Sequence, residues 1–295
     1  MLDKLEMFIA VAREEHFGRA AGALGITQPT LSAGIRQLED QLGVQLIFRG
    51  SRYGGLTPEG QNALQWARRI VGDARQLKEE MRFKRHGLAG QLRIAVIPTA
   101  LTWAARLSAR FTRKHPNVRM TLLSRASAEI LSMIEDFSVD AGISYLENEP
   151  MGKVSTAPLY RERFMVICHR DAPMAARDRV DWADLAGERL CLLTPDMQNR
   201  RIINRHFLAA GVSVEPGIEA NSTVVLIANV EEGDWMTVLP ADMARFLCAG
   251  KPLRMVPVGA AEVSETVGLV APWREPHTPV IKALLSEARR MSELD

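Results

Sequence analysis

Apolar residues recur at helical spacing along the first part of the chain and then change rhythm. Leu2, Leu5, Ile9 and Ala12, widened by Phe8, form one face of a first predicted helix. Phe17, Ala20, Ala21 and Leu24 make a shorter second stripe, whose small side chains let another helix come close. Gly25 then permits a backbone turn that a residue with a Cβ resists. Thr27 is placed to cap a third helix, with Pro29 in its first turn, where a missing N–H costs nothing. Leu31, Ile35, Leu38 and Leu42 follow on one face, and Gly43 ends the run. The opposite face carries Pro29, Ser32, Ala33, Arg36 and Gln37.

Two short helices joined by a Gly-containing turn describe a helix-turn-helix. Small groups on the outer face of its second helix allow entry into the major groove of double-stranded DNA, where Gln and Arg reach base edges. The same spacing also fits an ordinary helical bundle with a solvated outer face. The next segment, VQLIFRGSRYGGLTPEG, favours the first reading. Val44–Phe48 is a short strand, Arg49 to Gly55 a tight basic loop, and Leu56 the return, which together make a wing beside phosphates. Total charge gives no help: residues 1–60 hold six Lys/Arg and seven Asp/Glu, so any electrostatic footprint depends on placement.

At this point the sequence resembles the LysR-type transcriptional regulators, a bacterial family, along its whole length. The residues carrying the resemblance are Ala20-Ala21, Leu24, Gln28-Pro29, Leu31-Ser32, Ile35, Leu38-Glu39, Leu42-Gly43, Leu46, Phe48-Arg49, Leu56-Thr57 and Gly60. It implies that Gln28, Pro29, Ser32 and Arg36 lie at the DNA-reading surface, with Arg49 and Arg52 near the backbone. Thr30 and Ala33 complete the candidate DNA-binding set. Where many members have larger polar residues, this chain has Ala33 and Gly34, and Gly34 should weaken the helix by up to about 1 kcal/mol relative to Ala.

Thr57-Pro58-Glu59 reads as a helix start, and Leu64, Ala67, Val71, Ala74 and, after Lys78, Met81 continue it to about residue 86. Such a helix would span roughly 43 Å at about 1.5 Å per residue, too long for a small head to cover. A partner helix or a solvated spacer answers that problem. The resemblance favours a dimerising linker, and a homodimer that assembles into a homotetramer contacting RNA polymerase.

Beyond Gly87-Leu88-Ala89-Gly90 the pattern alternates strands and helices. LRIAVI, VRMTLL and VDAGISY are followed by FMVICH, RLCLL, IEANS, WMTVLP and TVGLVAPW, with helices between them and one at the end. Repeated β-α-β units imply parallel strands in α/β layers. Two such sets suggest two lobes with crossings near 160 and 264. The expected architecture is therefore α/β multidomain: a winged helix-turn-helix (1–58), a linker helix (59–88) and a two-lobed effector domain (89–295). Its lobes would be 90–160 plus 265–295, and 161–264; the resemblance makes this domain periplasmic-binding-protein-like. Ligands in such sheets sit beyond strand ends, at helix N-termini. Thr99, Ala100, Ser127, Thr194, Gln198, Ser222 and Thr223 occupy such places and suit a small anionic effector, although each hydroxyl could be only a helix cap. The resemblance points most clearly to Thr99 and Ser127. Trp235 stands where the family usually has Gly, either narrowing the cleft or packing in the core.

Composition adds mainly exclusions. Cys168, Cys191 and Cys248 are far apart with no C-x-x-C, which fits a reducing cytoplasm. The acidic residues around the first apolar run argue against a signal peptide, and no stretch is apolar enough for a membrane span. The six His are scattered without metal spacing, and no nucleophile-elbow, P-loop or dinucleotide motif occurs. No catalytic residue, metal or cofactor is expected. A small-molecule enzyme and a DNA-binding architectural protein that senses no ligand are the competing readings.

Overall fold

The computed structural model describes residues 1–48, 53–147, 151–260, 264–273 and 275–292, with backbone alone at 76, 79–80 and 82–86. Met1–Gly87 makes up nearly all of one compact unit; Leu88–Ile134 and Val139–Asp295 form the other.

The first unit is helical: α1 (Leu2–Glu14), α2 (Phe17–Leu24), α3 (Gln28–Leu42) and α4 (Pro58–His86). Phe8, Ile9, Ala20, Ala21, Leu31, Ile35, Leu38, Ala67 and Val71 close its core. Glycine sets the spacing. A Cβ on Gly60 would lie 2.0 Å from the Leu46 carbonyl oxygen, and one on Gly34 2.4 Å from Met7 Sδ. Gly34 therefore lies on the buried side of α3 against α1, and its helix penalty is tied to close packing. Two expected anchors fall short: Leu24 and Leu42, each in the last turn of its helix, are exposed beyond the edge of the core.

The second unit begins with β1 (Gly90–Val96), α5 (Leu101–Lys114), β2 (Val118–Ser124), α6 (Ser127–Glu135), β3 (Ala141–Tyr145) and β4 (Val154–Glu162). It continues through β5 (Phe164–His169), β6 (Cys191–Leu193), α7 (Gln198–Ala209), β7 (Ile218–Ala220), α8 (Thr223–Glu231), β8 (Thr237–Pro240), α9 (Ala241–Cys248) and β9 (Leu253–Pro257). β10 (Glu265–Pro272) and α10 (Pro279–Ser292) end it. One lobe holds a five-stranded sheet of order β2-β1-β3-β10-β4; the other holds β8-β5-β9 and the pair β6-β7.

The all-parallel expectation is corrected. β1 pairs in parallel with β2 and β3, and β6 with β7, but β10 is antiparallel to β3 and β4, and β5 to β8 and β9. The exceptions have one cause: β5 and β10 are the strands by which the chain enters a lobe from the other. An entering strand starts at the cleft, whereas strands built within a lobe end there. β4 and β9 do not read as strands in the sequence, because VSTAPLYRE and LRMVP mix polar residues and Pro into their apolar runs.

Replacing Gly60 by Ala should destabilise the first unit by about 1–3 kcal/mol despite the better helix former, because the clash is with backbone. Thermal unfolding of the variant checks this; an unchanged or raised midpoint would mean that the close approach imposes nothing.

Candidate functional site

The helix-turn-helix is assembled by local capping. His16 Nδ1 accepts the N–H groups of Gly18 (3.0 Å) and Arg19 (3.2 Å) at the start of α2. Gly25 turns the chain at φ 66°, and Thr27 Oγ1 accepts the Thr30 N–H at 3.4 Å. The Thr30 hydroxyl stays local, 2.9 Å from Thr27 Oγ1. With Leu31, Ile35 and Leu38 buried, α3 presents Gln28, Pro29, Thr30, Ala33, Arg36 and Gln37 to solvent, and Ser32 is half-buried. Exposed polar tips on small-residue backbone are what groove entry requires.

Among the described residues the wing is an isolated bridge and not a strand pair. Ile47 and Leu56 form a single antiparallel bridge, Phe48 N–H donates to the Gly55 carbonyl, and Thr57 N–H to that of Leu46. Arg49 and Arg52 lie outside the described residues. Thr57 caps α4 as expected, its Oγ1 accepting the Gly60 N–H at 2.9 Å. Sequence reasoning missed the role of Glu39, whose Oε1 accepts the N–H groups of Leu46 (2.8 Å) and Ile47 (3.2 Å) and so ties α3 to the base of the wing. Its place in the Leu-Glu pair of the motif was the available signal.

In the second unit the start of α7 gathers the cleft. Arg201 donates from Nε to Gln198 Oε1 at 2.6 Å, to the Asp196 carbonyl at 3.0 Å, and towards Ser127 Oγ at 3.5 Å across the lobes. One residue from Gln198, Asn199 Nδ2 donates to the Tyr145 hydroxyl at 3.1 Å, again across the lobes. Burial, then Glu162, raises the Tyr145 phenol well above its ordinary value, and Thr99, buried beside it, opposes that rise slightly although its Oγ1 makes no hydrogen bond of normal geometry. The hydroxyl of Thr194 and Asn199 Oδ1 are likewise buried without partners. Thr99, Ser127, Thr194 and Gln198 are thus grouped around one helix start. Ala100 is buried in the 3-10 turn that follows β1. Ser222 and Thr223 open α8 just beyond Ala220, whose carbonyl takes the Thr194 N–H; Ser222 makes no side-chain cap. Trp235 packs over Gly217 with the Arg189 guanidinium 4.4 Å from its ring, in keeping with a packing role.

Behind the cleft lies an acid that the sequence did not reveal. Glu162 is buried, and Tyr145 and Tyr160 donate to its two oxygens at 2.5 and 3.3 Å. Burial pushes its carboxyl up to about 8, the two phenols pull it back, and Glu265 and Asp242 add to the rise. Tyr160 stacks on Trp103 with ring centres 4.5 Å apart, and Trp103 Nε1 reaches Asp242 on α9 at 3.0 Å. Burial also raises the thiols of Cys168, Cys191 and Cys248, each to about 11. Among the described residues no group of His, Cys, Asp and Glu is placed to hold a metal.

Comparison with known proteins decides the family. The sequence model "Bacterial regulatory helix-turn-helix protein, lysR family" matches residues 2–61, and "LysR substrate binding domain" matches residues 85–293. The chain belongs to the LysR family of transcriptional regulators. Its relatives include the DNA-binding transcriptional dual regulator OxyR of Escherichia coli K12, 32% identical over 80% of this chain and 78% of that protein. The HTH-type transcriptional regulator XapR of the same strain is 30% identical over 90% of this chain and 92% of that one. Among solved structures, a full-length OxyR variant from Pseudomonas aeruginosa superposes with TM-score 0.76 at 26% identity, covering 98% of this chain and 94% of the other. Full-length CbnR in complex with its target DNA shares the fold at TM-score 0.64 and 20% identity, covering 99% of this chain and 100% of that one. The chain is thus a LysR-type regulator with a DNA-binding head and an effector-binding domain.

Glu162 should make the stability of the effector domain depend on pH. Its folded pKa lies above the ordinary 4.5, so the stabilisation is full below that value and is lost as pH rises towards about 8. Glu162→Gln keeps an acceptor for the phenols and cannot ionise. Between pH 4.5 and about 8 the variant should lose less thermal stability than the parent. Parallel losses would assign the dependence to other groups.

Proposed function

We propose that this LysR regulator binds promoter DNA as a dimer and reads a small anion in the cleft around the start of α7. The reading face is sparse: Gln28, Ser32 and Arg36 supply its reach, while Pro29, Thr30 and Ala33 allow close approach. Arg36 is exposed and makes no hydrogen bond or ion pair with a described residue, which leaves its guanidinium available for a base edge. The wing residues Arg49 and Arg52 are proposed to meet the phosphates.

Dimerisation is proposed to run along α4. This helix exposes Trp66 (58%), Ile70 (39%), Leu77 (59%) and Met81 (46%) at spacings that keep them on one side. Four large apolar groups on an otherwise charged helix call for a partner. Paired heads would then span half-sites about one helical turn or a multiple apart. Assembly into a tetramer, contact with RNA polymerase and residence in the cytoplasm complete the reading; no helix among the described residues is long and apolar enough to cross a membrane.

The observation that carries the cleft reading is the convergence of two helix starts, Ser127 and Gln198, on the Arg201 guanidinium, beside unsatisfied buried polar atoms of Thr99, Thr194 and Asn199. Helix N-termini and guanidinium together favour a small anion. Ala100, Ser222 and Thr223 are proposed to line the same site. Some relatives are named hydrogen peroxide-inducible genes activators, which raises thiol sensing as a second reading. The three thiols argue against it here: all are buried and, with pKa values near 11, scarcely ionised at neutral pH. An enzyme is disfavoured too, since the polar groups of the cleft hold no activated nucleophile.

A gel shift with DNA upstream of the gene tests the head. Arg36→Ala should weaken specific binding by about 1–3 kcal/mol and relax one position of the site. A uniform loss on all sequences would make it a phosphate contact, and no specific, salt-sensitive binding by the parent would end the regulator reading.

The cleft has a separate test. A small-anion screen by thermal shift should find a ligand that raises the midpoint. Thr99→Ala and Ser127→Ala should blunt that shift while leaving DNA binding intact. Normal responses in both would place the effector elsewhere.

A further inference from the structure

Where the chain crosses between lobes there is a second cavity that the cleft reading leaves unused. Arg163 is the single residue between β4 and β5, and the return crossing lies between Pro257 and Glu265. A cavity of about 480 Å³ lies against both, walled by Arg163, Phe164, Trp182, His206, Arg179 and Arg245. Its size suits one small organic ligand.

Its walls are of two kinds. Trp182 and His206 are stacked with centres 4.7 Å apart and planes 10° from parallel, and Phe164 meets both edge-on. The indole is held from behind, since a Cβ on Gly259 would lie 2.6 Å from Trp182 Nε1. Burial lowers the pKa of His206 against the pull of Glu265, itself 3.6 Å from Arg205. The other wall is cationic. Arg245 pairs with Asp242 at 2.8 Å, but neither Arg163 nor Arg179 makes a side-chain hydrogen bond or ion pair with a described residue. A neighbouring cavity of about 1040 Å³ shares Arg163 and Arg245, but Glu147 and Asp242 also line it. No acid lines the smaller cavity among the described residues, so its charge is of one sign.

We propose that this cavity binds an aromatic carboxylate, its ring against Trp182 and Phe164 and its carboxylate on Arg163 and Arg179. Guanidinium groups take carboxylates in a planar fork, and a flat apolar body suits an indole wall. A ligand seated there touches both crossings at once. It gives the protein a second input to lobe geometry, apart from the cleft.

Calorimetric titration of the full-length protein with 2-naphthoate tests this, with 2-naphthylmethanol and inorganic phosphate as controls. Naphthoate should bind more tightly than either control. The Arg163→Ala/Arg179→Ala double variant should weaken it by about tenfold or more, as loss of hydrogen bonds to a charged group implies. Both arginines are exposed, so the double variant should fold normally, as circular dichroism will show. Trp182→Leu should also weaken naphthoate binding, whereas Ser127→Ala should not. Naphthoate binding that persists in the double variant and is lost in Ser127→Ala would put it in the cleft and overturn this site while supporting the other. Equal binding of the alcohol would remove the role of the arginines, and equal binding of phosphate that of the aromatic wall. No binding at millimolar naphthoate would also overturn the proposal.

Discussion

The effector domain depends on one carboxyl that water does not reach. Glu162 ends β4, one residue before the chain leaves its first lobe, and its oxygens hold Tyr145 and Tyr160. Tyr145 in turn accepts from Asn199 of the second lobe, so an acid of one lobe, a phenol and an amide of the other lobe form one chain. A buried acid is tolerable when its lone pairs are engaged and its proton is retained. Glu162 meets both conditions, and the raised pKa is the cost of the location. The residues that face the ligand cleft are therefore set by a network that lies behind it.

The head obeys a different constraint, close helix approach. Gly34 and Gly60 are small because a neighbouring side chain or backbone occupies the space a larger group would need, and Ala20 and Ala21 are buried in the same core. This keeps the bulky anchors Leu31, Ile35 and Leu38 on one side of α3 and leaves the other side to small and polar groups. On the proposed reading of α3, so sparse a face would leave specificity to DNA shape as well as base contacts.

Legibility in the sequence followed how local each signal was. The caps at Thr27 and Thr57, the turn at Gly25 and the full span of α4 depend on residues a few positions apart, and all four were readable. Gly34 reads in the sequence only as a helix penalty, because the reason for it, Met7, lies on another helix. Strand direction was illegible for the same kind of reason: β5 and β10 look like any apolar run, and only the route of the chain between lobes reverses them. Thr99 and Ser127 could be nominated from strand ends and helix starts. Glu162 could not, since nothing in LYRERF distinguishes a buried acid from the exposed arginines beside it.

A crossing one residue long also limits what kind of motion can connect the lobes. Arg163 offers two soft backbone torsions and almost no slack, and its carbonyl is already fixed by the Ala241 N–H at 2.9 Å. Such a joint can turn but cannot slide, so relative displacement of the lobes is rotation about a nearly fixed point. On the proposed cleft reading, ligand size would be converted into an angle, and a small difference near the joint would grow with distance from it. The domain would then behave as a lever hinged at Arg163 and at the return crossing beyond Pro257.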